Sequence, residues 1–251
     1  MMILRLLLIT LFLMPINSHS QNEDTPSIDS DTENTIEEVE VTFKLNLKSS
    51  SYGNATLGKF TNTFKKTETG YSVKSVTKVQ GIAAIFIGSN EQQSCDFTFD
   101  DNTNIATPVS YAGGTLKKEQ YRVNFNWEDR TFEFESGETL DMPDGYIIDV
   151  CSMPFAAALA KGKGLDKQTM YIIDGKKKRL RAYKLVTSSN ETVETPLGDK
   201  ETLKIVLQRE LRPDRFLTLW LSLDDRYTPV KVEEKRKSRT ITMVVSEISV
   251  N

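Results

Sequence analysis

Two cysteines, Cys95 and Cys151, and one histidine, His19, are the residues best suited by type to nucleophilic, redox or metal chemistry. His19 falls within the first twenty residues, so a chain that loses that stretch has no histidine. That excludes Ser-His-Asp and Cys-His catalysis and zinc sites built on histidine. Two thiols are also too few for a four-thiolate site. No G-x-S-x-G, Walker A, G-x-G-x-x-G or EF-hand spacing occurs. The acidic pairs Asp100-Asp101 and Asp224-Asp225 are neighbours whose side chains would leave opposite sides of a strand, so they read as turn residues. A carboxylate or Ser-Lys pair could serve an enzyme without histidine, but none is marked. The sequence therefore predicts a protein that is not an enzyme, with no catalytic residue, metal site or cofactor.

The thiols are informative in another way. Cys95 shares strand parity with Phe97 and Phe99 and should face inward. In an exported chain a disulfide between Cys95 and Cys151 would persist and contribute on the order of 2–4 kcal/mol. Two buried free thiols are the alternative, and the spacing does not choose between them.

Export is predicted by the start of the chain. Arg5 precedes an apolar run from Leu6 to Met14, followed by Pro15 and by Ser18 and Ser20 ahead of a cleavage position before Gln21. Charged, then apolar, then small is the order of a secretory signal peptide, assigned to residues 1–20. The run is shorter than the roughly 20 apolar residues needed to span a bilayer. An uncleaved anchor is the rival reading. The cleaved product is expected in the periplasm, soluble and without a stable transmembrane anchor.

Residues 21–40 hold eight acidic and no basic side chains. Such a stretch cannot bury enough apolar surface to fold, and residues 21–38 are read as a disordered acidic linker. The whole chain has 35 acidic and 32 basic residues, but beyond residue 40 the balance is 27 to 31. A surplus of about four positive charges does not argue for nucleic acid. It is compatible with anionic lipid, an envelope glycan or neither, and it leaves any protein partner unspecified.

Residues 39–251 read as one β-rich domain. Val39, Val41, Phe43, Leu45 and Leu47 alternate with polar residues, as in a half-buried strand. Tyr121, Val123, Phe125 and Trp127 alternate likewise, and Phe132 and Phe134 return beside them. Phe216–Leu223 has Leu217, Leu219, Leu221 and Leu223 on one parity and Phe216, Thr218, Trp220 and Ser222 on the other, so it needs cover on both faces. Residues 82–87 form a continuous apolar run between Gly81 and Gly88. One helix is expected over Asp149–Lys161, with Asp149 or Ser152 as cap, Pro154 in its first turn and Gly162 ending it. About ten to twelve short strands are predicted, mainly antiparallel. They would form one strongly curved sheet or half-barrel, with the helix packed against it.

Several features in a fixed order resemble one family. They are Gly70-Tyr71, Gly81, Ser94, Pro108 with Tyr111, Trp127, Asp174-Gly175, Glu194-Thr195-Pro196-Leu197-Gly198, Thr202-Leu203-Lys204, Leu219-Trp220-Leu221 and Pro229-Val230-Lys231. The chain resembles the bacterial exported family catalogued as domain of unknown function 3108 over most of residues 41–249. The resemblance implies a periplasmic setting and a curved antiparallel sheet with a helix against it, like the half-barrels of lipoprotein carriers. It implies no activity and no catalytic residues.

Two functions follow as expectations. The first is a binding module whose concave, aromatic face takes an apolar or amphipathic envelope molecule such as an acyl chain. Its ligand-facing residues would be Phe97, Phe99, Phe125, Trp127, Phe216, Thr218 and Trp220. The second is a structural or adaptor protein working through its outer surface, with basic hairpin tips at Lys176–Arg181 and Lys235–Arg239 as contacts. Solvated basic tips also guard sheet edges against aggregation.

Overall fold

The computed structural model describes residues 38–50, 53–80, 90–165, 168–224 and 228–250. The signal segment, nearly all of the acidic linker and the Gly81–Gly88 run lie outside the described residues.

The first half of the chain is β1 Glu38–Ser49, β2 Gly53–Thr67, β3 Gly70–Val79, β4 Glu91–Asp100, β5 Ile105–Thr115, β6 Lys118–Asn126, β7 Thr131–Phe134 and β8 Thr139–Asp141. Then come β9 Tyr146–Asp149, helix α1 Met153–Leu159, β10 Met170–Asp174, β11 Arg179–Thr195, β12 Gly198–Arg209, β13 Arg215–Ser222, β14 Pro229–Arg236 and β15 Arg239–Val250. All join one sheet of 15 strands, in the order β8 to β1, then β15 down to β9. Two meanders therefore meet where the first strand pairs with the last, and the two sheet edges, β8 and β9, are neighbours in sequence. Only β9–β10 is parallel; every other pair is antiparallel. The expected count falls short in part because β8 and β9 carry three and four residues, too few to show a period.

Register follows hydrophobic parity. Val41, Phe43 and Leu45 of β1 face Asn62, Phe60 and Gly58 of β2, and Ile248, Val245 and Met243 of β15. A register shift at Thr42/Phe43 on the β15 side keeps Val41 and Phe43 buried along both partners. β13 is covered on both faces as expected. Leu219 and Leu221 lie in the large core, while Trp220 and Thr218 are buried opposite. The middle strand of the order is β1.

The sheet curls so that β9 lies against β5. The enclosed core joins Val73, Phe97, Val123 and Phe132 of one meander to Ile173, Ile205, Leu207 and Leu219 of the other, with Met153, Phe155, Ala156, Ala157 and Ala158 of α1 packed into it. The helix is shorter than the expected Asp149–Lys161, because Asp149 ends β9 and Pro154 opens the first turn. At its C-terminus Gly162 N–H donates to Ala157 O and Lys161 N–H to Ala158 O, a Schellman ending. Lys161 itself takes the left-handed position (φ 51°).

A clasp joins the meanders beside this core. The β10–β11 connection is a single 3-10 turn, Gly175–Lys177, with Lys178 left-handed at φ 46°. Lys176 Nζ reaches Glu91 at 3.3 Å and Lys178 Nζ reaches Glu138 at 2.6 Å. Part of the basic run is thus committed to partners across the fold and is not simply a solvated edge. The turn approaches β6 so closely that a Cβ on Gly175 would sit 2.8 Å from the Tyr121 ring and 3.0 Å from Val123. Gly175→Val should therefore destabilise the protein by about 1–3 kcal/mol through overpacking. An unchanged urea midpoint would show that the clasp yields freely.

Candidate functional site

Phe97 and Phe125 are buried in the large core and Phe99 packs against it. Val123 pairs with Phe134 and Phe125 with Phe132, so the aromatic lining expected of these strands is present. The rest of the predicted ligand-facing set lies elsewhere. Trp127 is 37% exposed beyond the end of β6, stacked on Phe125 with its indole N–H donated to Pro108 O at 2.7 Å. Trp220 belongs to a second buried cluster with Val41, Phe43, Val193, Val230 and Val245. Thr218 and Phe216 share its parity on β13. A single concave face holding Phe97, Phe125 and Trp220 does not exist, because Leu219 and Leu221 take β13's place in the large core.

Polar partners complete the Trp220 environment. Lys231 Nζ lies 4.2 Å and Lys204 Nζ 5.5 Å from its ring centroid. Its indole N–H donates to Glu191 Oε1, whose other oxygen accepts from Lys204 at 2.7 Å. The Lys204 hydrogen bond is the largest influence holding the Glu191 carboxyl below its ordinary value. Trp220 is a packed, hydrogen-bonded ring.

The aromatic surface that does reach outward runs through β2 and β3. Phe64 stacks on Phe155 of α1 at 5.0 Å and 2°, and on Tyr71 at 5.3 Å and 10°. Tyr71 stacks in turn on Phe97 at 5.5 Å. Phe97 and Phe155 are buried, whereas Phe64 and Tyr71 are half-buried, so the column leads from the core to the surface. Burial, with Asp101 adding to it, raises the Tyr71 phenol. Phe64, Tyr71 and Phe155 were not expected as site residues. A signal was available for Phe64, which shares strand parity with Phe60 on β2; the meeting with α1 had none.

A polar centre lies beneath the helix. Cys95 and Cys151 are buried free thiols with their sulfurs 2.7 Å apart, and Asp149 is wholly buried beside them. Asp149 Oδ1 accepts from the Cys151 and Ser152 N–H groups, each at 2.8 Å, and Oδ2 accepts from Ser152 Oγ at 2.5 Å. The carboxylate, not Ser152, thus satisfies the donors that lead into α1. Burial raises the Asp149 carboxyl despite these hydrogen bonds, and burial also raises both thiols. The three groups have the types of metal ligands. However, two thiolates on one tetrahedral zinc, with Zn–S about 2.3 Å, stand about 3.8 Å apart. The observed approach suits a sulfur–sulfur bond better.

Fold and site together define a barrel-like, single-sheet β protein closed over an apolar interior by one short helix. The chain belongs to the family described as Protein of unknown function (DUF3108), whose model matches residues 42–246. No curated protein matches it in sequence. Among solved structures it is similar to a beta-barrel-like protein of domain of unknown function DUF1849 from Brucella abortus. That match has TM-score 0.55 and 12% identity, covering 86% of this chain and 98% of the other, and shows the shared fold. Weaker likenesses are a DUF1329 family protein from Desulfovibrio piger (TM-score 0.30, 9% identity, 87% of each chain) and a LolA superfamily protein from Nitrosomonas europaea (TM-score 0.25, 7% identity, 86% and 87%). No helix among the described residues is long and apolar enough to cross a membrane.

Two predictions follow from the polar centre. Protein recovered from an oxidising compartment should have Cys95 and Cys151 bridged, so both alkylate under denaturing conditions only after reduction. Closing so long a loop should contribute about 4 kcal/mol. Alkylation without reductant would show two free thiols. For Asp149, a raised folded value means the group favours folding most below its ordinary value of 3.8. That contribution is lost as pH rises through the folded value. Urea midpoints should therefore shift in favour of Asp149→Asn over wild type between pH 3 and pH 8. A pH-independent difference would mean that the carboxyl is unshifted.

Proposed function

We propose that this protein is a non-catalytic binding module of the bacterial cell envelope, working in the periplasm on an amphipathic molecule that carries an acyl chain. The observation that supports it best is the stacked column Phe155–Phe64–Tyr71–Phe97, which continues the apolar core to the surface. An acyl chain laid along Phe64 would exchange water for aromatic faces at about 25 cal/mol per Å² of apolar area. The Tyr71 hydroxyl, half-buried at the outer part of the column, would meet its polar end. The helix presents Ala156, Ala157 and Ala158 beside Phe155. These small side chains leave the aromatic rings to shape the site.

The reading predicts a stoichiometric acyl-bearing species on protein purified natively from a periplasm, seen by lipid mass spectrometry. It also predicts that Tyr71→Ser weakens uptake of a fluorescent fatty acid by about tenfold, equivalent to about 1.4 kcal/mol. Protein that carries no lipid and takes up no fatty acid would sink the proposal and leave an adaptor acting through its outer surface.

A further inference from the structure

At the hairpin ends of β11 to β14, a pocket of about 280 Å³ is lined by Lys177, Arg179, Arg181, Arg209, Arg212, Arg215 and Arg236. All seven lining side chains are cationic. They converge from separate parts of the chain. Three belong to the β10–β11 hairpin, three are spaced by three across the β12–β13 turn, and Arg236 faces Arg215 across the β13–β14 ladder. Two carboxylates offset three of them: Asp174 pairs with Arg179 at 3.5 Å and with Arg181, and Glu234 pairs with Arg236. Lys177, Arg209, Arg212 and Arg215 make no ion pair among the described residues.

So many guanidinium groups in one hollow repel one another. The Arg209 guanidinium is held below its ordinary value, first by burial, with Arg181, Arg215 and Arg179 adding to it. Hydrogen bonding is incomplete as well. Among the described residues, the buried side-chain polar atoms without a partner are Arg181 Nε, Asp214 Oδ2 and Arg215 Nε, and both arginines line this pocket. A buried donor without an acceptor costs about 1–3 kcal/mol. An anion rich in oxygen acceptors would relieve both the repulsion and the missing hydrogen bonds. In the β12–β13 turn that supplies Arg212, the preceding residue Leu211 is 86% exposed. A bare leucine beside a cationic hollow is the arrangement of a tip that enters a bilayer while its arginines hold the headgroup.

We propose that this pocket binds the multiply charged phosphate of a lipid headgroup, with Leu211 inserted in the membrane surface beside it. It shares no residue with the aromatic column, so acyl uptake and headgroup binding can fail separately.

The test uses the full mature chain with phosphatidylcholine vesicles carrying phosphatidic acid, and with inorganic pyrophosphate followed by calorimetry. Wild type should bind both. Arg212→Glu, at an exposed position, should weaken both by about tenfold. Lys117→Glu, an equal charge change outside the pocket, should alter them by less than about twofold. Leu211→Ser should lose vesicle binding and keep pyrophosphate. Fatty-acid uptake should be unchanged in all three variants. If neither probe binds, or if Arg212→Glu and Lys117→Glu act alike, the site is overturned. Pyrophosphate binding that depends on Arg212, without vesicle binding, would overturn the lipid source in favour of a soluble phosphate.

Discussion

The antiparallel pairing of β1 with β15 turns two separate meanders into one sheet. Every other neighbouring pair in the sheet joins consecutive strands. The β1–β15 pair brings together residues about two hundred positions apart, such as Val41 and Ile248. Without it, β1 and β15 would each present a row of unpaired backbone groups along an apolar strand, the most aggregation-prone kind of edge. With it, the edges pass to β8 and β9, which are short. This pairing places one boundary of the fold at its centre, and it is costly in loop-closure entropy until the core consolidates it.

Curling of the sheet then creates an interior that strands alone do not fill. α1 fills it with Met153, Phe155 and three alanines, and the position of α1 depends on the Asp149 carboxylate beneath it. A wholly buried carboxylate is tolerated there because three donors converge on it. Cys151 lies in the same turn, so the cap also sets the approach of its sulfur to Cys95. The clasp of Lys176 and Lys178 onto Glu91 and Glu138 works at the surface of the same closure. Being exposed, it contributes to register more than to stability.

Charge is distributed unevenly over this frame. On one part of β11 to β14, Glu191 offsets one of the two lysines, Lys204 and Lys231, that lie over Trp220. At the strand ends of the same four-stranded region, seven cations meet only two carboxylates. Unbalanced charge of this kind costs folding energy, and its retention fits a task in binding. The aromatic column and the cationic hollow share no residue, so the two proposed sites are separate.

The sequence by itself determined the class: alternating residues such as Val39–Leu47 and Tyr121–Phe125 announced half-buried antiparallel strands. Pro154 and Gly162 bracketed the helix to within a few residues. It also determined the inward parity of Cys95 with Phe97, because a period of two is a local property of the backbone. Only the tertiary structure decided which strands are neighbours, and so which residues share a site. Trp220 looked equivalent to Phe97, yet the two belong to different clusters, since parity gives two faces without saying which one the fold encloses. Likewise nothing in the local sequence places Arg209, Arg212 and Arg215 beside Arg181 and Arg236; the packing of β11 and β14 does. Proximity across a sheet is set by long-range register, which no short stretch of sequence contains.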